Sequence, residues 1–271
     1  MSASRQPAIY ITHGGGPCFW TELPPPLGSH AYDSLKSYFS GLLATLPERP
    51  RAILIASAHW EEPVPTVSTA AAPPMLYDYY GFPPHTYRLQ YPAPGSPQLA
   101  ARVRDLLAQA GQPVAGDDRR GFDHGVFVPM LIIDPEAKIP LVMLSLAADL
   151  DPARHLAIGA ALAPLREEGV LVIGSGSSYH NLRAIFSGGE DRVSLEFDAW
   201  LNETVIDEDV TRRARRLIEW RSAPGAAASH PRAEHLIPLM LAAGAAGTDA
   251  GRASFRGRIG GKAYSCFTFG G

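Results

Sequence analysis

Five short apolar runs rich in β-branched residues recur along the chain: AIYIT (8–12), AILIASA (52–58), IPLVMLSL (139–146), VLVIGS (170–175) and AYSCFTF (263–269). Continuous rather than alternating hydrophobicity marks strands buried on both faces, the condition of a sheet covered by helices on either side. Stretches of helical length with amphipathic spacing fall between them, near 31–44, 97–110, 152–168, 194–206, 209–221 and 232–243. The alternation predicts an α/β fold with a mixed, mostly parallel central sheet and helices on both faces. No linker-like stretch or internal repeat interrupts the 271 residues, so the chain reads as one domain, 1–271. Ser96 followed by Pro97 predicts a helix start, because a capping hydroxyl precedes a residue whose missing N–H costs nothing at the first position.

Ligands of open α/β sheets bind outside the carboxyl ends of the strands, and several of the nine histidines fall at such ends. His13 closes the first run and is followed by Gly14, Gly15 and Gly16; His59, in SAHW, ends the second; His180, in GSGSSYH, follows the fourth after a glycine-serine turn. His124 lies in a polar turn between Gly121 and Gly125, and His235 begins an apolar helix. Neutral imidazole is the commonest metal ligand near neutral pH, and two or three of them with open positions are what metal-assisted chemistry requires. The residues alone therefore read as a mononuclear metal enzyme and leave the metal open. His155 is expected to be solvated on its helix, His30 to neighbour a helix cap, and His230 either to cap a helix or to support a ligand. The Tyr- and Pro-rich segment 75–95 is expected to form an ordered wall or lid, with His85 in reach of a substrate.

Charge narrows the partners. With 24 Lys and Arg against 27 Asp and Glu, the net charge of -3 gives no footprint for nucleic acid or an anionic membrane. The arginine run VTRRARRLIEWR (210–221) reads as a solvated or intersubunit helix face, compatible with a homo-oligomer. LIPLMLAAGAAG is too short to span a bilayer and the first residues lack the apolar core of a signal peptide, so no membrane contact is expected. Cys18 and Cys266 exclude a disulfide framework and a paired-cysteine motif, which fits a reduced, cytoplasmic setting.

THGGGP, SAHW, YDYYGFP with YPAPGSP, GFDHG, GSGSSYHNLR, EHLIPL and FTFG, in register from residue 12 to residue 270, together resemble the DODA-type extradiol aromatic ring-opening dioxygenases of class III, the LigB-like enzymes. The resemblance implies metal ligands at His13, His59 and His235. It implies an acid/base role for His180, which also stands as a fourth metal position, and a pocket role for His124 against substrate or oxygen. Protocatechuate-cleaving relatives use a glutamate as third ligand. This chain offers Glu234 beside His235, and the resemblance selects His235, since helix neighbours point about 100° apart. Pro238 then kinks or begins the helix there.

The implied cofactor is Fe(II), with Zn(II) as a metal the same histidines accept. The implied substrates are O2 and a small aromatic diol, a DOPA-, caffeate- or protocatechuate-like catechol opened to a muconic semialdehyde. Gly14 and Gly15 would let a planar ring approach, and Tyr77, Tyr79 and Tyr80 would wall it. Two further readings compete: a zinc-dependent hydrolase with His180 or Glu234 as base, and a non-catalytic Memo-like binding protein.

Overall fold

Alternate side chains of the central strands enter two separate cores, and this division fixes the layering of the molecule. A computed structural model describes residues 4–187 and 192–271. Its strands are β1 (Ala8–Thr12), β2 (Ala52–Glu62), β3 (Thr66–Ser68), β4 (Ala115–Asp117), β5 (Leu141–Ala147), β6 (Val170–Gly176), β7 (Gly251–Ile259) and β8 (Lys262–Phe269), in one sheet of order β4-β3-β5-β2-β6-β1-β8-β7. The inner four, β5-β2-β6-β1, are mutually parallel. Antiparallel pairing joins β8 to β1 and β7 to β8 on one side and β3 to β5 on the other, while β4 runs parallel to β3.

Tyr10, Leu54, Leu144 and Val172 face a core shared with helices Pro97–Gln109, Pro152–Leu162, Arg192–Val205 and Ile237–Ala246. Ile9, Ile53, Met143 and Ile173 face the other, closed by helices Asp33–Gly41 and His124–Ile133. Each such fully buried side chain contributes about 1.5–3 kcal/mol. The α/β architecture with helices on both faces is therefore as the apolar runs predict, and no helix among the described residues is long and apolar enough to cross a membrane.

All five predicted strands and all six helical segments form, with shifted ends. Segment 152–168 divides into helices Pro152–Leu162 and Pro164–Glu167, where Pro164 cannot continue the hydrogen-bond ladder. Ser96 caps as expected, accepting from the Leu99 N–H at 3.2 Å. The chain also forms β3, β4, β7 and helix His124–Ile133, which the sequence did not announce. The first two have three residues each, β7 is half-exposed, and the helix is apolar on nearly every side, so no amphipathic period marks it.

Four expectations need correction. His59 does not end β2 but lies within it, because the strand runs on to Glu62 through an irregular register between Ala56 and Glu61. His124 is the first residue of a helix, not part of a turn. His155 is buried: its Nδ1–H donates to the Asp151 carbonyl at 2.7 Å and its Nε2 accepts from the Ala147 N–H at 3.1 Å, so it ties a helix to the end of β5. In the arginine run, Arg213 is buried and donates to the carbonyls of Gly247 and Asp249, which makes part of that face internal.

One close approach positions the site. A Cβ on Gly174 would run into the Pro238 carbonyl oxygen, and one on Gly176 into that of His235. Segment 235–238 thus lies directly on β6, held by the Ser177 N–H at 2.9 Å and the Tyr10 hydroxyl at 2.8 Å, both donating to the His235 carbonyl. Overpacking of this kind costs about 1–3 kcal/mol. Gly176→Ala should lose stability of that order in denaturant unfolding, whereas Gly41→Ala, where a Cβ meets nothing within 4 Å, should lose none; equal stability of the two variants would contradict the packing described.

Candidate metal centre and active site

Five histidines meet at the carboxyl ends of β1, β2 and β6. His13 follows β1, His59 stands near the end of β2, His180 follows the turn after β6, His124 opens helix His124–Ile133, and His235 lies on β6 just before helix Ile237–Ala246. The side-chain donor atoms of His13, His59 and His235 lie within 4.8 Å of one another. Nε2 of His13 and Nε2 of His59 are 3.1 Å apart. The His59 and His124 rings are 3.9 Å apart between centroids, and His180 stacks on His235 at 3.4 Å with 15° between planes.

The partners behind the rings assign the tautomers. The Ser175 hydroxyl donates to the Gly125 carbonyl, so it accepts from the His13 Nδ1–H at 3.0 Å. Oε1 of Glu234 accepts from the His235 Nδ1–H at 3.0 Å and stands 3.3 Å from Nδ1 of His180. Oδ1 of Asp78 accepts from both the backbone N–H of His124 at 2.9 Å and its Nδ1–H at 2.8 Å, while Oδ2 lies 3.6 Å from Nδ1 of His59. A carboxylate or an already committed hydroxyl can only accept here. The Nε2 lone pairs of His13, His124 and His235 are therefore left free, the arrangement in which a histidine ligand is usually oriented by an acceptor on its other nitrogen.

Electrostatics agrees with this assignment. Burial, reinforced by the neighbouring histidines, holds the His13 and His59 imidazoliums well below the usual histidine range. Burial likewise brings His235 down to about 3, although Glu234 opposes it. These rings are neutral at physiological pH and ready to ligate. Burial also pushes the Glu234 carboxyl up, but hydrogen bonds from His180 and His235 outweigh it and keep it ionised, well below its ordinary value. Three neutral imidazoles, His13 and His235 with a free Nε2 and His59 with its Nε2 3.1 Å from that of His13, converge in a set that fits a divalent metal ion. Asp78 and Glu234 also stand within reach of a cation, in groups with His59 and His124 and with His180 and His235. One oxygen of each, Oδ1 of Asp78 and Oε1 of Glu234, is taken by imidazole N–H groups, and through it each holds a ring.

A cavity of about 490 Å³ opens over the cluster, lined by all five histidines and by Gly14, Gly15, Gly16, Asp78, Tyr79 and Tyr80 among others. Gly14 and Gly16 take φ of 92° and 52°, and a Cβ there would strike Cys18 and the Phe82 ring. The glycine run is thus needed for the turn itself as well as for an open wall. Tyr77 and His85 lie outside the lining. The Tyr77 hydroxyl donates to the Leu89 carbonyl at 2.6 Å, and His85 Nε2 donates to the Trp20 carbonyl at 2.8 Å, so both fasten the 75–95 segment rather than face the cavity. Cys18 is buried beneath Gly14 with its thiol pushed up to about 12 by burial.

Further residues support the cluster, and of these Ser175, Asp78 and Arg120 carried no interpretable signal in the sequence. Ser175, Asp78 and Glu234 act through the rings they hold, and Arg120 donates to the His59 carbonyl at 3.0 Å and to Asp123 at 2.8 Å. Glu61 pairs with Arg232, whose Nη1 stands 3.5 Å from Glu234, and Glu62 accepts from the Trp60 indole N–H at 2.9 Å. Buried His230 donates from Nε2 to the Ser178 carbonyl at 3.0 Å, bracing the turn that carries His180. A broader depression on helix Pro97–Gln109, lined by Ala101, Arg104 and Asp105, is open to solvent and holds no histidine.

The chain is similar to known proteins. Residues 7–267 match the family described as the catalytic LigB subunit of aromatic ring-opening dioxygenase. A dioxygenase, tasH, of Hapsidospora irregularis is 41% identical over 262 residues, covering 89% of this chain and 78% of that protein. A 4,5-DOPA dioxygenase extradiol of Portulaca grandiflora is 41% identical over 251 residues, covering 90% and 88%. The crystal structure of an uncharacterized protein from Escherichia coli K12 superposes with a TM-score of 0.78 at 30% identity, covering 98% of this chain and all of that one. The match over nearly the whole chain, together with the histidine-lined cavity at the strand ends, establishes that the chain belongs to the LigB family of aromatic ring-opening dioxygenases.

Proposed function

We propose that the protein opens the ring of a catechol beside its two hydroxyls, using Fe(II) held by His13, His59 and His235. The observation that carries this reading is the convergence of three neutral imidazoles, His13 and His235 oriented from behind by Ser175 and Glu234 and His59 facing Asp78 at 3.6 Å, in a cavity that two further histidines also line. When bound, Fe(II) supplies the redox activity and vacant coordination positions that let triplet O2 react with a singlet catechol. Zn(II) suits the same donors but has no redox chemistry. Both oxygen atoms of O2 end in the ring-opened muconic semialdehyde.

The chain's own groups handle protons and position. His180, with Nδ1–H directed at Glu234, presents an Nε2 lone pair that takes a catechol proton as the diol binds and returns it during ring opening, a role suited to an imidazole. His124, held at Nδ1 by Asp78, offers Nε2 as acceptor to the other hydroxyl. Gly14 and Gly15 leave the wall free of side chains, and Tyr79 stands beside His124 with 6.0 Å between centroids, so a planar ring has an aromatic neighbour.

Anaerobic loading with Fe(II) should give a protein that consumes one O2 per catechol and forms a yellow product, and chelation should abolish this until Fe(II), not Zn(II), is restored. Ester or amide turnover without O2 uptake would favour the hydrolase instead. Replacing His13, His59 or His235 by Ala should remove the bound metal, measured as iron per chain. His180→Gln should keep the iron and lower kcat by about 10²–10⁴; an unchanged kcat would remove His180 from proton transfer. Asp78→Asn should weaken metal affinity or activity by roughly 10–100-fold, the usual cost of losing the acceptor behind a functional histidine.

A further inference from the structure

The cavity is far larger than one six-membered ring with two hydroxyls, and its outer part has a character of its own. At about 490 Å³ it falls among pockets that hold ligands of drug size, roughly 300–1,000 Å³. Beyond the histidines its lining includes the apolar side chains of Leu23, Leu27, Leu182, Ile185 and Phe186, together with Tyr80. Tyr80, Leu182 and Phe186 are 91%, 54% and 52% exposed, and these are three of the five large apolar side chains most exposed among the described residues. Exposed apolar surface concentrated at the rim of one cavity marks a place where apolar ligand is covered.

Charge points the same way. Among the described residues lining the cavity there is no Lys or Arg. A carboxylate on the outer part of a ligand would lose water without gaining a cation. The one carboxylate among the described lining residues, Asp78, has Oδ1 taken twice by His124 and Oδ2 turned toward His59 at 3.6 Å, which makes it a weaker partner for an ammonium group than an uncommitted carboxylate.

We infer that the substrate is a catechol bearing an uncharged, apolar alkyl or aryl substituent, seated between the Leu23–Leu27 wall and Leu182, Ile185 and Phe186. The inference rests on the ring-cleaving reading and narrows it, away from the carboxylated catechols that the sequence motifs suggest. It also separates this chain from relatives named for DOPA, whose side chain is a zwitterion.

A matched pair tests it: 4-propylcatechol and hydrocaffeate differ at the end of a side chain of equal length, methyl against carboxylate. Binding of each to the Fe(II)-loaded protein under nitrogen is measured by calorimetry, and turnover by O2 uptake. The expected result is at least tenfold tighter binding and higher kcat/KM for 4-propylcatechol. Leu182→Arg and, separately, Phe186→Arg should shrink or reverse the ratio; both positions are exposed enough to carry a cation without burying it. Equal or tighter binding of hydrocaffeate, or a ratio unmoved by both arginines, overturns the inference. Selective binding of 4-propylcatechol without O2 uptake upholds the inference and sinks ring cleavage, whereas O2 uptake with hydrocaffeate preferred does the reverse. Failure of both catechols to bind rejects the two together.

Discussion

Two ring nitrogens, Nε2 of His13 and Nε2 of His59, face each other 3.1 Å apart in a buried site. The Nδ1–H of His13 is committed to Ser175, so the nitrogen it turns toward His59 is a lone pair. That lone pair can be met by the Nε2–H of His59 in one of its tautomers, by a shared proton or by a cation. Burial disfavours the added proton on either ring. On the proposed reading a divalent ion takes the place of that proton, and His235 completes the group from a third direction.

The fold supplies these directions by ordinary means. β1 and β6 end together and the pairing of β2 with β6 stops at the same level, so the residues that follow there share one edge of the sheet. His235 cannot come from a strand end. It reaches the cluster because Gly174 and Gly176 strip β6 of side chains where segment 235–238 crosses it. Glu234 then serves two stacked rings through a single oxygen, and Arg232 and Glu61 extend the chain of charge to the surface.

Much of this was legible in the amino-acid order. Buried parallel strands are continuous apolar runs, and AIYIT, AILIASA and VLVIGS announced β1, β2 and β6 because both their faces are covered. Histidines at strand ends announced the cluster. Helix His124–Ile133 stayed hidden because it is apolar nearly all round and carries Pro129, so period and propensity were both silent. His155 was misread because one buried imidazole with two backbone partners has the same local sequence as a solvated one. Tyr77 and His85 looked like substrate contacts from their aromatic setting, but only three-dimensional packing reveals that their polar atoms are spent on the backbone of Leu89 and Trp20. Leu182 and Phe186 belong to a short helix, Leu182–Ser187, whose spacing says nothing of a cavity.

On the proposed reading, one ion is held by three imidazole ε nitrogens while Asp78 and Glu234 stay behind the rings. X-ray absorption on Zn(II)-loaded protein, backed by a crystal structure, examines it directly. The account predicts one ion per chain with nitrogen from residues 13, 59 and 235 at about 2.0–2.1 Å. A carboxylate oxygen from Asp78 or Glu234 in place of any of the three, or an ion bound elsewhere, would contradict it.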